Sequence, residues 1–339
     1  MTDAATDGKL GVRDKRGDWR PARLLSTPPV FVWPARPRAF LKWLFGYPGF
    51  LWPWNLAFFA CSTLTWFYLT PPMETMKSFA LGWIVFILVR NLGWTLLVAG
   101  GLHLRLYVQR AQGVDYKYNI RWPARDNPTF LFGNQVFDNM FWTLASAVPI
   151  WTAYEVLTMW AFANGYIPYV DWRAHPIYCL LVLLAIPFSR EIHFYLIHRL
   201  IHWPPLYRTV HHLHHKNVNV TPWSGLAMHP VEHLLYFSGV LVHWIVPSHP
   251  LHAIFHLQHL TFAAARGHSG FERLVISDGV AVETSDYFHY LHHKYFECNY
   301  GGNLVPLDKV FGTFNDGSDA AEEAMNQRFL SRNGRLTAP

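Results

Sequence analysis

Three groups of histidines in this chain have the spacing to assemble a polynuclear metal centre. They are His198-Arg-Leu-Ile-His202, His211-His212-Leu-His214-His215 and His289-Tyr-Leu-His292-His293. With 3.6 residues per turn, helical positions four apart differ by about 40° around the axis, and positions three apart by about 60° the other way. Each run therefore aims most of its imidazoles at one point. Neutral imidazole suits iron, zinc, copper or nickel, and several such helices supply enough nitrogens for two ions. All the histidines except His103 and His175 fall between His193 and His293. Repeated spacing within that stretch separates a metal site from the ordinary fate of a lone histidine, which is a surface or satisfied core position.

The core of the expected site is His198, His202, His211, His214, His215, His289, His292 and His293. His212 lies between motif positions and should point away. His229-Pro-Val-Glu-His233 and His268-Ser-Gly-Phe-Glu272 offer further donors at a spacing of four, which adds His229, His233 and His268 to the candidate ligands. The competing reading of His229 is a helix cap before Pro230, and that of Glu272 is a carboxylate orienting a ligand. Ligand histidines normally donate their second ring N–H to a carboxylate or carbonyl, and Glu191, Glu232, Glu283 and Asp286 are spaced for that role. His243, His249, His252, His256 and His259 follow no such pattern and read as packing residues.

The elements that must hold these donors are apolar. Of the 339 residues, 51% are hydrophobic, 17% aromatic and 15% charged. A soluble domain has nearer a quarter of its residues charged, so part of this surface is not meant for water. Sixteen tryptophans and sixteen tyrosines suit membrane–water interfaces. The net charge of +6 fits an anionic membrane surface, because no recognition motif accompanies it to indicate nucleic acid. Cys61, Cys179 and Cys298 are far apart, giving neither a disulfide framework nor a thiolate zinc site.

A bilayer crossing needs about 20 apolar residues. Gly49–Leu69, Phe79–Gly101, Phe141–Ala163 and Ile177–Ile197 qualify as expected spans. Leu234–Val246 and Leu251–Ala265 are shorter and histidine-bearing, so they dip into the membrane or pack inside the protein. Arg and Lys concentrate before the first span and in Arg105–Arg125 after the second. By the positive-inside rule both segments are cytoplasmic, and four spans return the chain to the cytoplasm at His198. Arg90 and Glu155 lie within spans, either as a structural pair or as a polar channel lining. Met1–Arg23 has no apolar core and reads as a flexible cytoplasmic tail rather than a signal, followed by the extended connector Thr27–Pro37. The expected organisation is a tail and connector over 1–45, a transmembrane pair with a basic loop over 46–140, a catalytic domain over 141–316 and a C-terminal tail over 317–339. The fold class is an all-α integral membrane protein, with about four transmembrane helices and a cytoplasmic histidine-rich helical cap. Dimerisation through the first two spans is compatible with this arrangement.

At this point the chain resembles the sterol desaturase/fatty acid hydroxylase superfamily. Glu191 through Tyr195, His198-Arg199 and His202 are similar to the family's first motif. The second motif lies in Tyr207 through His215. The third continues into Asn299-Tyr300-Gly301 and Asp308-Lys-Val-Phe311-Gly312-Thr313, like the family's closing sequence. The likeness covers roughly 141–314. One departure is His268-x-x-x-Glu272 where the fatty acid 2-hydroxylase branch has a further HxxxH. This points away from simple 2-hydroxylation and towards a sterol-type or other cyclic lipid.

The resemblance implies a membrane-bound non-haem di-iron enzyme that hydroxylates or desaturates a lipid, with O2 as co-substrate and two external electrons. Zinc has no accessible redox state and enters such a site only as a substitute during purification. No GxGxxG after a strand, flavin signature or CxxCH is present, so electrons should come from a ferredoxin, a cytochrome b5-like protein or a reductase. An alkyl-lipid-cleaving or aldehyde-decarbonylating relative would use the same motifs. A non-catalytic zinc- or iron-handling membrane protein would instead spread its donors through the spans.

Overall fold

The computed structural model describes residues 10–284 and 286–332, and these are mostly helical. A hairpin of β1 (Gly11–Arg13) and β2 (Trp19–Pro21) opens the described chain. Helix α1 (Pro37–Phe45) buries none of its residues, and α2 (Leu56–Tyr68) follows. Next come α3 (Leu81–Thr95), which continues helically to Val108, and α4 (Gln135–Trp142), which runs through a wider turn into α5 (Val148–Ala163). Helix α6 (Pro176–Ile201) leads into the histidine region, formed by α7 (His212–His215), α8 (Pro230–Phe237) and α9 (Pro250–Gly267). A second antiparallel hairpin, β3 (Arg273–Ser277) and β4 (Val280–Glu283), precedes α10 (Tyr287–Tyr295), α11 (Leu307–Val310) and α12 (Asp319–Arg332).

Two helices are long and apolar enough to cross a membrane, Leu81–Val108 and Pro176–Ile201. Only 28% of the most apolar stretch of each is buried inside the protein, so neither is the core helix of a water-soluble fold. Leu97, Val108, Ile177 and Leu181 on them are all at least 60% exposed. The expected first span is interrupted. Non-helical backbone at Trp52 leaves only the 13 residues of α2 in regular helix, fewer than the roughly 20 a crossing needs.

The core is built around α9, in which every residue except Arg266 is buried. It packs against α2, α5 and α6, which places the run Leu251–Ala265 inside the protein. Its polar side chains are held internally. His252 bonds the Cys179 carbonyl, His259 bonds Asn55, and Gln258 bonds Ser62 and Thr65. The α3–α5 contact is pinned by an ion pair of Arg90 with Glu155, a carboxylate that also accepts from Asn91. The two charged positions inside the apolar runs therefore pair with each other.

The N-terminal region corrects the sequence reading. Residues 10–23 do not form a free tail, and residues 1–9 lie outside the described residues. Trp19 is 2% exposed and packs on Tyr116 and Tyr118. Asp18 accepts the Ile120 amide at 2.9 Å, and Arg20 pairs with Asp319 on α12. The C-terminal segment docks as well. Met325 is buried in the same cluster as Trp19, and Glu322 accepts from Lys294 and Tyr295. This cluster supports the back of α10, where Tyr287, Tyr290 and Leu291 face away from His289, His292 and His293.

Candidate metal centre

The long apolar helix α6 ends on the first histidine motif, with His198 in its last turn and His202 as its C-cap. Five imidazoles, those of His198, His202, His211, His215 and His292, gather with their ligand nitrogens all within 4.8 Å of one another. Four more, those of His214, His268, His289 and His293, form a second group of the same kind. The groups adjoin, since the His214 and His215 rings are 5.8 Å apart. Each HxxHH run is divided between them. His211 and His215 serve the first group and His214 the second, whereas His289 and His293 serve the second and His292 the first. Residues four apart stay together, and the one at i+3, turned about 60° the other way, crosses over.

The donor set fits bound cations better than it fits itself. His198 Nδ1 lies 2.6 Å from the Tyr300 carbonyl, His292 Nδ1 2.7 Å from that of Cys298, and His268 Nδ1 2.9 Å from that of Ala264. His211 Nδ1 lies 2.8 Å from the Glu232 carboxylate. In a neutral ring the single proton goes to that acceptor and leaves a bare lone pair on Nε2. Yet the Nε2 atoms of His198 and His211 are 3.1 Å apart. Those of His202, His215 and His292 form a triangle with sides of 3.0–3.2 Å. Three single-valent nitrogens cannot satisfy three such contacts with protons, whereas nitrogens about 2.1 Å from a shared ion and at right angles would stand about 3.0 Å apart. Burial keeps the imidazoles neutral, as ligands must be: the pKa of His292 is pushed down to about 3 and that of His268 to about 4.

The closing sequence holds the carbonyls that orient these rings. Asp308 accepts the Tyr300 amide at 2.9 Å and the Gly301 amide at 2.7 Å, and Thr313 donates to the same carboxylate. Asn299 is bonded to Phe288 and Asn315. Glu191 accepts the Gly302 amide, so close that a Cβ at 302 would lie 2.7 Å from its Oε2. Glu191 therefore acts on the loop beside His198, and Glu232 acts directly on His211. Burial pushes the Glu232 carboxyl well above its ordinary range, a tendency that nearby cations would oppose.

The structure thus brings together nine of the sequence-named ligands and leaves two outside. His229 is the N-cap of α8, its Nδ1 accepting the Val231 amide, because Pro230 starts the helix there. His233 is buried, with one ring nitrogen on Ser146 and the other on the Leu226 carbonyl. The inclusion of both among the ligands is corrected. His212 is exposed. Glu272 receives a hydrogen bond from Tyr118, Glu283 pairs with Arg273, and Asp286 caps α10 through the His289 amide. Sequence reasoning missed the three orienting carbonyls, since a carbonyl has no residue signature.

A cavity between α6, α8 and α9 reaches His198 and His211 of the first group and His214, His268 and His289 of the second. Phe194, Met228, Tyr236 and Ala263 line its apolar side, with Arg190 and Asp286 in the wall.

Residues 180–313 match the fatty acid hydroxylase family. Over 205 residues the chain is 31% identical to the Delta(7)-sterol 5(6)-desaturase of Candida glabrata, covering 57% of this chain and 54% of that protein. It is 28% identical over 157 residues to that of Saccharomyces cerevisiae, covering 44% and 41% of the two chains. It is 35% identical over 147 residues to one from Aspergillus fumigatus, covering 36% and 45%. The matches thus span about half or less of the length of these curated relatives. No solved structure matches the chain.

Proposed function

We propose that this chain, whose residues 180–313 belong to the sterol desaturase/fatty acid hydroxylase superfamily, is a membrane-bound non-haem di-iron oxidoreductase that desaturates or hydroxylates a lipid. The observation that carries this reading is the pair of adjoining imidazole groups, five and four strong, with their lone pairs converging. His198, His202, His211, His215 and His292 would hold one iron, and His214, His268, His289 and His293 the other. Bound there, iron would supply the one-electron redox changes and O2 activation that attack on an unactivated C–H bond demands.

The protein's own contribution is orientation and exclusion. The carbonyls of Ala264, Cys298 and Tyr300 and the Glu232 carboxylate hold the Nδ1 protons, so each Nε2 faces inward. The apolar wall formed by Phe194, Met228, Tyr236 and Ala263 is suited to a hydrocarbon framework and keeps water from the reacting carbon. The sterol desaturases among its relatives favour a sterol-like or other cyclic lipid as substrate. Two exposed apolar helices support insertion in a bilayer, and the basic segments before and after Leu81–Val108 favour placing the histidines on the cytoplasmic face. Electrons would come from a separate ferredoxin, cytochrome b5-like protein or reductase, and the lipid would enter sideways from the bilayer.

The test is turnover by the iron-loaded full chain with O2, an electron-donor pair and a panel of sterols and acyl lipids, read by product mass. Loss of two hydrogens means desaturation and gain of one oxygen means hydroxylation. Absence of any oxidised lipid across the panel would overturn the assignment.

A further inference from the structure

Away from the clustered histidines of the metal centre, at the C-terminal end of the helical run Leu81–Val108, lies a second cavity of about 390 Å3. It shares no lining residue with the cavity at the metal centre. Its size falls in the range of roughly 300–1,000 Å3 typical of ligand pockets. The charge of its lining calls for an anion. Arg110 and Arg125 face it, and neither forms an ion pair among the described residues. The Arg110 guanidinium is held 4.2 Å over the Trp122 ring, with its backbone at φ 49°, in the left-handed region where glycine is favoured after a helix. His103, stacked on Tyr107, lines the same wall and adds a ring able to donate one N–H.

The other half of the lining is apolar and opens sideways. Val108 and Phe137 belong to the cavity and are 63% and 57% exposed. The exposed surface continues over Leu104 and Phe141 along the helices. A free phosphate would use only the cationic half. A molecule with an anionic head and hydrocarbon chains would use both, and would be met where an apolar helix emerges from the bilayer.

We propose that this cavity binds the phosphate-bearing headgroup of an anionic phospholipid, with Arg110, Arg125 and His103 around the phosphate and acyl chains over Leu104 and Phe137. The proposal rests on the membrane location argued above but not on the oxidation chemistry.

The experiment is thermal unfolding of the full chain in a neutral detergent, with phosphatidylglycerol, phosphatidylcholine or inorganic phosphate added. Phosphatidylglycerol at about a hundred times its dissociation constant should raise the midpoint by about 5 °C. The Arg110→Gln/Arg125→Gln double variant should lose most of that rise while keeping the lipid-free midpoint of the parent. Arg125→Glu alone, at an exposed position, should lose it too. An equal rise with phosphatidylcholine, the same rise with phosphate alone, or a full rise in both variants would each overturn the proposal. Iron content is a separate readout and should be unchanged in these variants, so failure here is distinguishable from failure of the oxidoreductase reading.

Discussion

The Nε2 atoms of His215 and His292 stand 3.0 Å apart, although 77 residues separate them in the chain. His202 Nε2 is within 3.2 Å of both. Because His292 gives its Nδ1 proton to the Cys298 carbonyl, its Nε2 enters this triangle as a lone pair. A cation is the occupant that turns all three contacts from competing to cooperative.

Replacing His215 or His292 by alanine should therefore remove metal from the first group and lower turnover by more than about 100-fold, since even the partners of ligands are worth about 10–100-fold. Metal content per chain by elemental analysis checks this. A variant with full metal and full activity would contradict the ligand assignment.

Glu232→Gln should keep the fold but weaken metal retention by about 10–100-fold, because Oε1 of this carboxylate orients His211. Competition with a chelator, compared with the parent chain, measures the change. Unaltered retention would show that His211 is held without it.

Removing residues 10–23 should lower the unfolding midpoint and loosen metal in the second group, because Trp19 lies in the cluster behind α10. Trp19→Ala alone should cost about 3–5 kcal/mol, the usual loss for a buried aromatic. Thermal unfolding with metal analysis tests both, and a truncated chain as stable as the parent would contradict the packing.

Acid should destabilise the protein partly through His233. Burial pushes its pKa from 6.5 down to about 4, so between these values the unfolded chain binds the extra proton. The stabilisation is complete above about pH 6.5 and is lost as pH falls towards 4, amounting to at most roughly 3 kcal/mol. Unfolding midpoints measured across that window should fall less steeply with acidity in His233→Gln than in the parent.

Much of the centre was legible in the sequence, because helical angles alone point His198/His202 and the two HxxHH runs inward. The same rule misplaced His229 and His233. Their spacing is that of a ligand pair, but Pro230 starts a helix between them, and the partner of His233 is Ser146, 87 residues away. The orienting carbonyls at 264, 298 and 300 were beyond sequence reading, since position rather than side chain defines them. The polar composition of the N-terminal region hid one anchor, Trp19, whose partners Tyr116 and Tyr118 are about 100 residues distant. The break at Trp52 did have a sequence signal in Pro53, which pushes the residue before it out of the helical region, but hydrophobicity measures affinity for lipid and not regularity of backbone.

The most direct test of the central claim is metal analysis with iron Mössbauer spectroscopy on the detergent-purified full chain, produced in iron-enriched medium. Two coupled, reducible irons per chain are predicted, one for each imidazole group. Zinc alone, persisting with iron in excess, would contradict a redox centre and favour a metal-handling role for the same histidines.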